Sequence, residues 1–193
     1  MIPGNKASHS MNRIKLLALS GSLRKASYNT AAIKALTQLA PRHVDIVQGS
    51  IGDLPLFNPD LEGSPIPALG QLKDILNESD GFVIASPEYA HGISGPLKNA
   101  LDWLVSGEEF PDIPIMLINT SPRALHAVAA LMEVLRTMTG NIIEEAFVSI
   151  PLLGSGLDAE GIVTDREISA ALLSGLNRFC GAIEMLKRNK QEC

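Results

Sequence analysis

Five short apolar runs punctuate the chain: Ile14 to Leu19, His43 to Val47, Gly81 to Ser86, Ile113 to Asn119 and Ala146 to Ile150. Each is too short for a stable helix and rich in Ile, Val and Leu, as strands covered on both faces are. Between them the apolar positions change to a helical period. Ala31, Ala32, Ala35, Leu36 and Leu39 form one stripe after Ser27, and Leu97, Ala100, Leu101, Leu104 and Val105 form another after Gly95. A third runs through Leu125, Val128, Ala129, Met132, Leu135 and Met138, and the last through Ile168, Leu172, Phe179, Ile183 and Leu186. Each stripe predicts a helix with one buried face.

Local signals predict where the helices start. Thr164 with Glu167 has the spacing of a capping box. Ser64-Pro65 and Ser121-Pro122 each set a capping hydroxyl before a proline suited to the first helical position. The stretch from Leu54 to Pro67 reads as a long loop entering a short helix. Strands alternating with helices imply right-handed crossovers and a parallel sheet. Five strands favour the flavodoxin-like three-layer α/β sandwich, sheet order 2-1-3-4-5, over the six-stranded dinucleotide fold.

At 193 residues with 46% apolar content, one domain spanning 13–193 is expected. Residues 1–12 are polar and are expected to be a disordered tail or a leader. A formal charge of −5 argues against a nucleic-acid binder, which would carry a basic face. Cys180 and Cys193 offer neither a metal-ligand spacing nor a disulfide framework, so no metal is expected and a cytoplasmic setting is the simplest. No apolar run has the length of a membrane span.

Two loops carry the chemistry. Ser20 to Thr30 joins the first strand to its helix, where an anion sits in a doubly wound sheet. The helix start offers unpaired amides, the serines, Asn29 and Thr30 offer further donors, and Arg24 a forked charge. The loop is neither a Walker A sequence nor a G-x-G-x-x-G fingerprint. An ordinary serine-rich turn is the competing reading. The second loop, Ser86 to Trp103, follows the third strand, which the predicted order places beside the first. Its glycines and prolines let backbone approach a flat ligand, and Tyr89 and His91 could touch a ring.

At this point the chain resembles the NADPH-dependent FMN reductase family, which includes quinone, chromate and azo-dye reductases. Gly21-Ser22-Leu23-Arg24 through Ser27-Tyr28-Asn29, and Pro87-Glu88-Tyr89 followed by Leu97-Lys98-Asn99-Ala100-Leu101-Asp102-Trp103, look like its two signature segments. Leu54 to Glu62 and Asp158 to Asp165 are similar to two further family loops. The resemblance implies FMN phosphate against Ser22, Arg24, Ser27, Tyr28 and Asn29. It implies the isoalloxazine against Pro87, Glu88, Tyr89, Ala90, His91 and Gly92, with the loop from Ser121 closing the other side. It further implies ping-pong hydride transfer from NAD(P)H through FMN to a small acceptor, with no catalytic side chain. A homodimer or homotetramer is implied too, the Leu54–Glu62 loop and the segment around Trp103 being candidate contacts.

The chain departs from the family pattern twice. Ala90 stands where asparagine is usual, removing a side-chain hydrogen bond, and Ser121 to His126 lacks the usual glycines. Individual residues also have plain readings. Glu88 reads as structural or interfacial, Trp103 as packing or a subunit contact, His126 as a helix-surface residue, and His91 as either a ring neighbour or a solvated loop residue. Two other functions compete. A flavodoxin-type electron carrier fits poorly with 4% aromatic residues, and a receiver-type regulator lacks acids where this chain has Leu19 and Ser20. A flavin-free binding protein remains an alternative because of Ala90.

Overall fold

The computed structural model describes residues 13–192; the expected tail at 1–12 lies outside them. Strand β1 (Ile14–Ser20) is central. It pairs in parallel with β2 (Val44–Gln48), in the register Ile14 to Val44, and with β3 (Gly81–Ala85), in the register Leu16 to Gly81. The other edge of β3 pairs with β6 (Pro114–Asn119), again parallel. The fifth position holds two short strands. β7 (Asn141–Ile142) pairs with the start of β6 and β8 (Val148–Ser149) with its end. The sheet order is thus 2-1-3-4-5, the flavodoxin-like arrangement.

Side chains alternate across β1, so both faces are covered. Ile14, Leu16 and Ala18 pack with Ile33 and Leu36 of α1 (Tyr28–Leu39) and with Leu176 and Phe179 of α6 (Arg166–Gln191). Leu17 and Leu19 face the opposite layer. There they meet Leu72 of α2 (Pro67–Asn77), Leu101 of α3 (Gly95–Leu104) and Leu131 of α4 (Leu125–Thr137).

Several local expectations change. The single strand expected over Ala146 to Ile150 shrinks to Val148–Ser149, because a 3-10 turn at Glu144–Ala146 lifts the chain off the sheet edge between β7 and β8. Thr164 and Glu167 form no capping box. Thr164 ends a short helix, α5 (Ala159–Thr164), where its hydroxyl donates back to the carbonyls of Glu160 and Gly161. The cap of α6 is Asp165, whose carboxylate accepts from the amides of Glu167 and Ile168 at 3.0 Å. Ser64-Pro65 precedes rather than starts α2, which opens at Pro67 behind Ile66. Ser121-Pro122 does not start α4 either. Ser121 to Ala124 closes as a turn, the Ala124 amide donating to the Ser121 carbonyl at 2.8 Å, and the helix opens at Leu125.

Candidate active site

The ends of β1, β3 and β6 open onto a cleft of about 860 Å³, within the range of small-molecule sites. Its first wall is the β1–α1 loop, which is wired internally. Ser20 Oγ accepts from the Ser22 amide and from Thr30 Oγ1, Ser22 Oγ accepts from the Arg24 amide, and Ser27 Oγ caps α1 by accepting from the Thr30 amide. These bonds use hydroxyl lone pairs, so the O–H groups of Ser22 and Ser27 keep a proton to donate. The cap satisfies the third amide of α1 and leaves those of Tyr28 and Asn29 without an intrahelical partner at the cleft. Anions favour such a helix start. The Tyr28 hydroxyl accepts from the Gly156 amide at 3.1 Å, which ties the 153–158 loop to α1 and leaves the phenol proton free.

Gly21 shows why a glycine begins this wall. A Cβ there would stand 3.1 Å from Leu97 Cδ2 and 3.2 Å from Pro87 Cδ, tighter than most contacts allow. The buried Ser94 caps α3 through the Leu97 amide and donates to the Gly21 carbonyl, binding the first loop to the second.

The second wall holds a small hairpin that the apolar pattern did not signal. β4 (Glu88–Tyr89) and β5 (Gly92–Ile93) pair antiparallel around Ala90 and His91, whose φ angles are 49° and 60°. A two-residue hairpin loop with both central residues left-handed matches a type I′ turn, which favours Asn and Gly. The departure at Ala90 therefore matters first through the backbone: asparagine tolerates this conformation better than alanine does. Pro87, Glu88 and Tyr89 line the cleft with Ser121, whereas the tip residues Ala90, His91 and Gly92 do not. Ala90 and His91 are exposed at the hairpin tip, and Gly92 is partly buried.

Glu88 has a definite partner. Its Oε2 accepts from the Ala127 amide at 2.8 Å, the third amide of α4, a helix whose own N-cap, Ala124, supplies no side-chain bond. The carboxylate thus caps α4 from a distance and holds the hairpin against it. His91 Nδ1 lies 3.5 Å from Glu88 Oε1, and the His91 ring meets His126 edge-on at 4.5 Å between centroids.

Of the remaining lining, Arg123 lies in the loop from Ser121 that the resemblance put beside the ring and the start of α5 in the Asp158–Asp165 segment, whereas Thr120 and Leu153 were not singled out in the sequence. Thr120, Arg123, Leu153 and the start of α5 complete the cleft. They reach it only because β6 lies next to β3 and α5 packs on α1, which no local signal encodes. Trp103 is buried rather than a surface contact. Its Nε1 donates to the Pro55 carbonyl at 2.8 Å, its ring meets Phe57 edge-on at 5.0 Å, and Asn99 bonds the same loop at Pro55 and Phe57. Cys180 does not line the cleft. Burial first, and the Glu184 carboxylate second, push its thiol up to about 11. Among the described residues no group of three or more His, Cys, Asp or Glu could hold a metal ion.

The profile of the NADPH-dependent FMN reductase family matches residues 14–152, which include both walls. The chain belongs to that family. A flavoenzyme NAD(P)H:(acceptor) oxidoreductase of Paracoccus denitrificans superposes with a TM-score of 0.75 at 30% identity, covering 89% of this chain and 98% of that one. A quinone reductase of Escherichia coli is 37% identical over 117 residues, 56% of this chain and 60% of that protein. An NAD(P)H-dependent FMN reductase of Pseudomonas aeruginosa is 39% identical over 100 residues, 51% of this chain and 54% of that protein. The chain spans between half and three fifths of the length of the curated relatives it matches. As a member of the NADPH-dependent FMN reductases, it has a cleft whose donors suit the family cofactor: two free helix amides, available hydroxyls and Arg24, with Pro87 to Tyr89 and Ser121 also in its lining.

Proposed function

We propose that this chain is an NAD(P)H oxidoreductase that holds FMN in the cleft and reduces a small acceptor such as a quinone, an azo compound, free flavin or an oxidised metal anion. The observation that carries the reading is the convergence, in one cleft, of the unpaired amides of α1 and the Pro87–Tyr89 wall. Ser22, Arg24, Ser27, Tyr28 and Asn29 would hold the phosphate through charge-assisted hydrogen bonds. Pro87 to Tyr89 on one side and Ser121 to Ala124 on the other would border the ring, with half-exposed Tyr89 at the mouth. FMN, when bound, would supply the two-electron hydride chemistry linking NAD(P)H to the acceptor in alternating half-reactions. Glu88 is committed to α4 and serves as a structural clamp. The cytoplasm is the proposed setting.

Anaerobic addition of NADPH or NADH to FMN-reconstituted protein should bleach the flavin absorbance, and an acceptor panel should restore it. Reconstituted protein that neither nucleotide bleaches would be an electron carrier instead. We also propose a homodimer or homotetramer, supported by Leu56, which is 84% exposed on a loop pinned by Trp103 and Asn99. Leu56→Glu should lower the mass measured by light scattering; an unchanged assembly would remove this loop from the interface.

A further inference from the structure

Thr120 follows β6 directly, and Asn29 is the second residue of α1. Each is only 5% exposed, and both line the cleft. Thr120 Oγ1 donates to Asn29 Oδ1 at 3.1 Å, joining two elements 91 positions apart in the chain. A carboxamide has acceptors on one side and two N–H donors on the other. Among the described residues, nothing accepts from Asn29 Nδ2. Nor is that nitrogen sealed in the core: among the described residues, the one fully occluded side-chain polar atom without a hydrogen-bond partner is Glu109 Oε1. A side chain nineteen-twentieths buried therefore opens its free donor onto the cleft, at the helix end where the amides of Tyr28 and Asn29 are also free.

We propose that Thr120 is a positioning residue for the nucleotide phosphate: by donating to Oδ1 it holds the Asn29 carboxamide with its NH2 group toward the anion. The inference rests on the reading that the cleft binds FMN. A flipped carboxamide would turn its oxygen to the phosphate and repel it. Without the Thr120 hydroxyl, Oδ1 loses the buried donor that fixes its side, and an unsatisfied buried acceptor is costly.

The test is a titration of FMN, and separately of phosphate-free riboflavin, by flavin fluorescence, with circular dichroism to establish that each variant is folded. Thr120→Val should weaken FMN binding about tenfold, the loss expected for one hydrogen bond to a charged group. Riboflavin affinity should stay within a factor of about two, since it carries no anion for the amide to meet. Thr120→Ser should restore FMN binding. Adding Thr120→Val to Asn29→Ala should have no further effect, because nothing is left to orient. The proposal is overturned by unchanged FMN affinity in Thr120→Val, by equal losses for FMN and riboflavin, or by additive losses in the double variant. Folded wild-type protein that takes up neither flavin would overturn the reading of the cleft itself, and this inference with it.

Discussion

Ala90 offers the sharpest test of how backbone conformation and residue choice interact in this site. Its φ of 49°, followed by 60° at His91, puts two consecutive L-residues in the left-handed region. The steric contact between Cβ and the following carbonyl oxygen costs about 1–2 kcal/mol per residue there. Asparagine relieves part of that cost through local hydrogen bonding, so Ala90→Asn should stabilise the protein by about 0.5–1 kcal/mol. For a chain of this size that corresponds to a rise in Tm of about 1–4 °C. Ala90→Gly removes the clash too but adds freedom to the unfolded chain, so its gain should be smaller. The assay is thermal and guanidinium unfolding of flavin-free protein followed by far-UV circular dichroism. Ala129→Asn is the control: on an exposed face of α4, the same substitution should destabilise by about 0.6 kcal/mol through helix propensity. Opposite signs at the two positions isolate the backbone as the cause. An Ala90→Asn variant that melts at or below the wild-type temperature would refute the argument.

Three other outcomes follow from the same structure. Glu88→Ala removes the distant cap of α4 and should cost about 1–2 kcal/mol, with faster hydrogen exchange at the Ala127 amide; Glu88→Gln, which keeps an acceptor, should cost less. Unchanged exchange at Ala127 in Glu88→Ala would deny the clamp. Arg24→Ala should weaken FMN binding by about 1.5–3 kcal/mol, and an unaltered titration would move the phosphate elsewhere. The Cys180 thiol, pushed up to about 11, should resist alkylation at pH 9 in the native protein and react in the unfolded one. Because its folded pKa lies above its unfolded value, its contribution to stability is complete below about pH 8.5 and is lost as pH rises through 11. Equal native and unfolded labelling rates of the Cys180 peptide at pH 9 would contradict this.

The order of strands and helices was legible in the sequence because burial on both faces of a parallel sheet demands continuous apolar runs, and burial on one face of a helix demands a stripe. Ile14 to Leu19 and the stripe Ile168, Leu172, Phe179 and Ile183 carry those signatures locally, whereas α4 buries Ala127, Leu131 and Leu135 and leaves Leu125 and Ala129 of its expected stripe exposed. The first wall of the cleft was legible as well: its serines, Asn29 and Arg24 cluster within one turn that topology puts at the strand ends. What the sequence misplaced were helix starts: Ser64, Ser121 and Thr164 all resemble caps, but α2 opens at Pro67, α4 opens at Leu125 with its third amide bonded by the distant Glu88, and α6 is capped by the Asp165 carboxylate. The fifth strand also divided, because the turn at Glu144–Ala146 depends on what the edge of β6 can pair. Tertiary structure alone decided that Glu88 caps a helix 39 residues away, that Ala90 and His91 take left-handed conformations, and that Thr120 meets Asn29. Apolar periodicity is written in neighbouring residues, whereas these contacts exist only once β1, β3 and β6 lie side by side, and no local pattern specifies which distant hydrogen-bonding groups that packing will bring together.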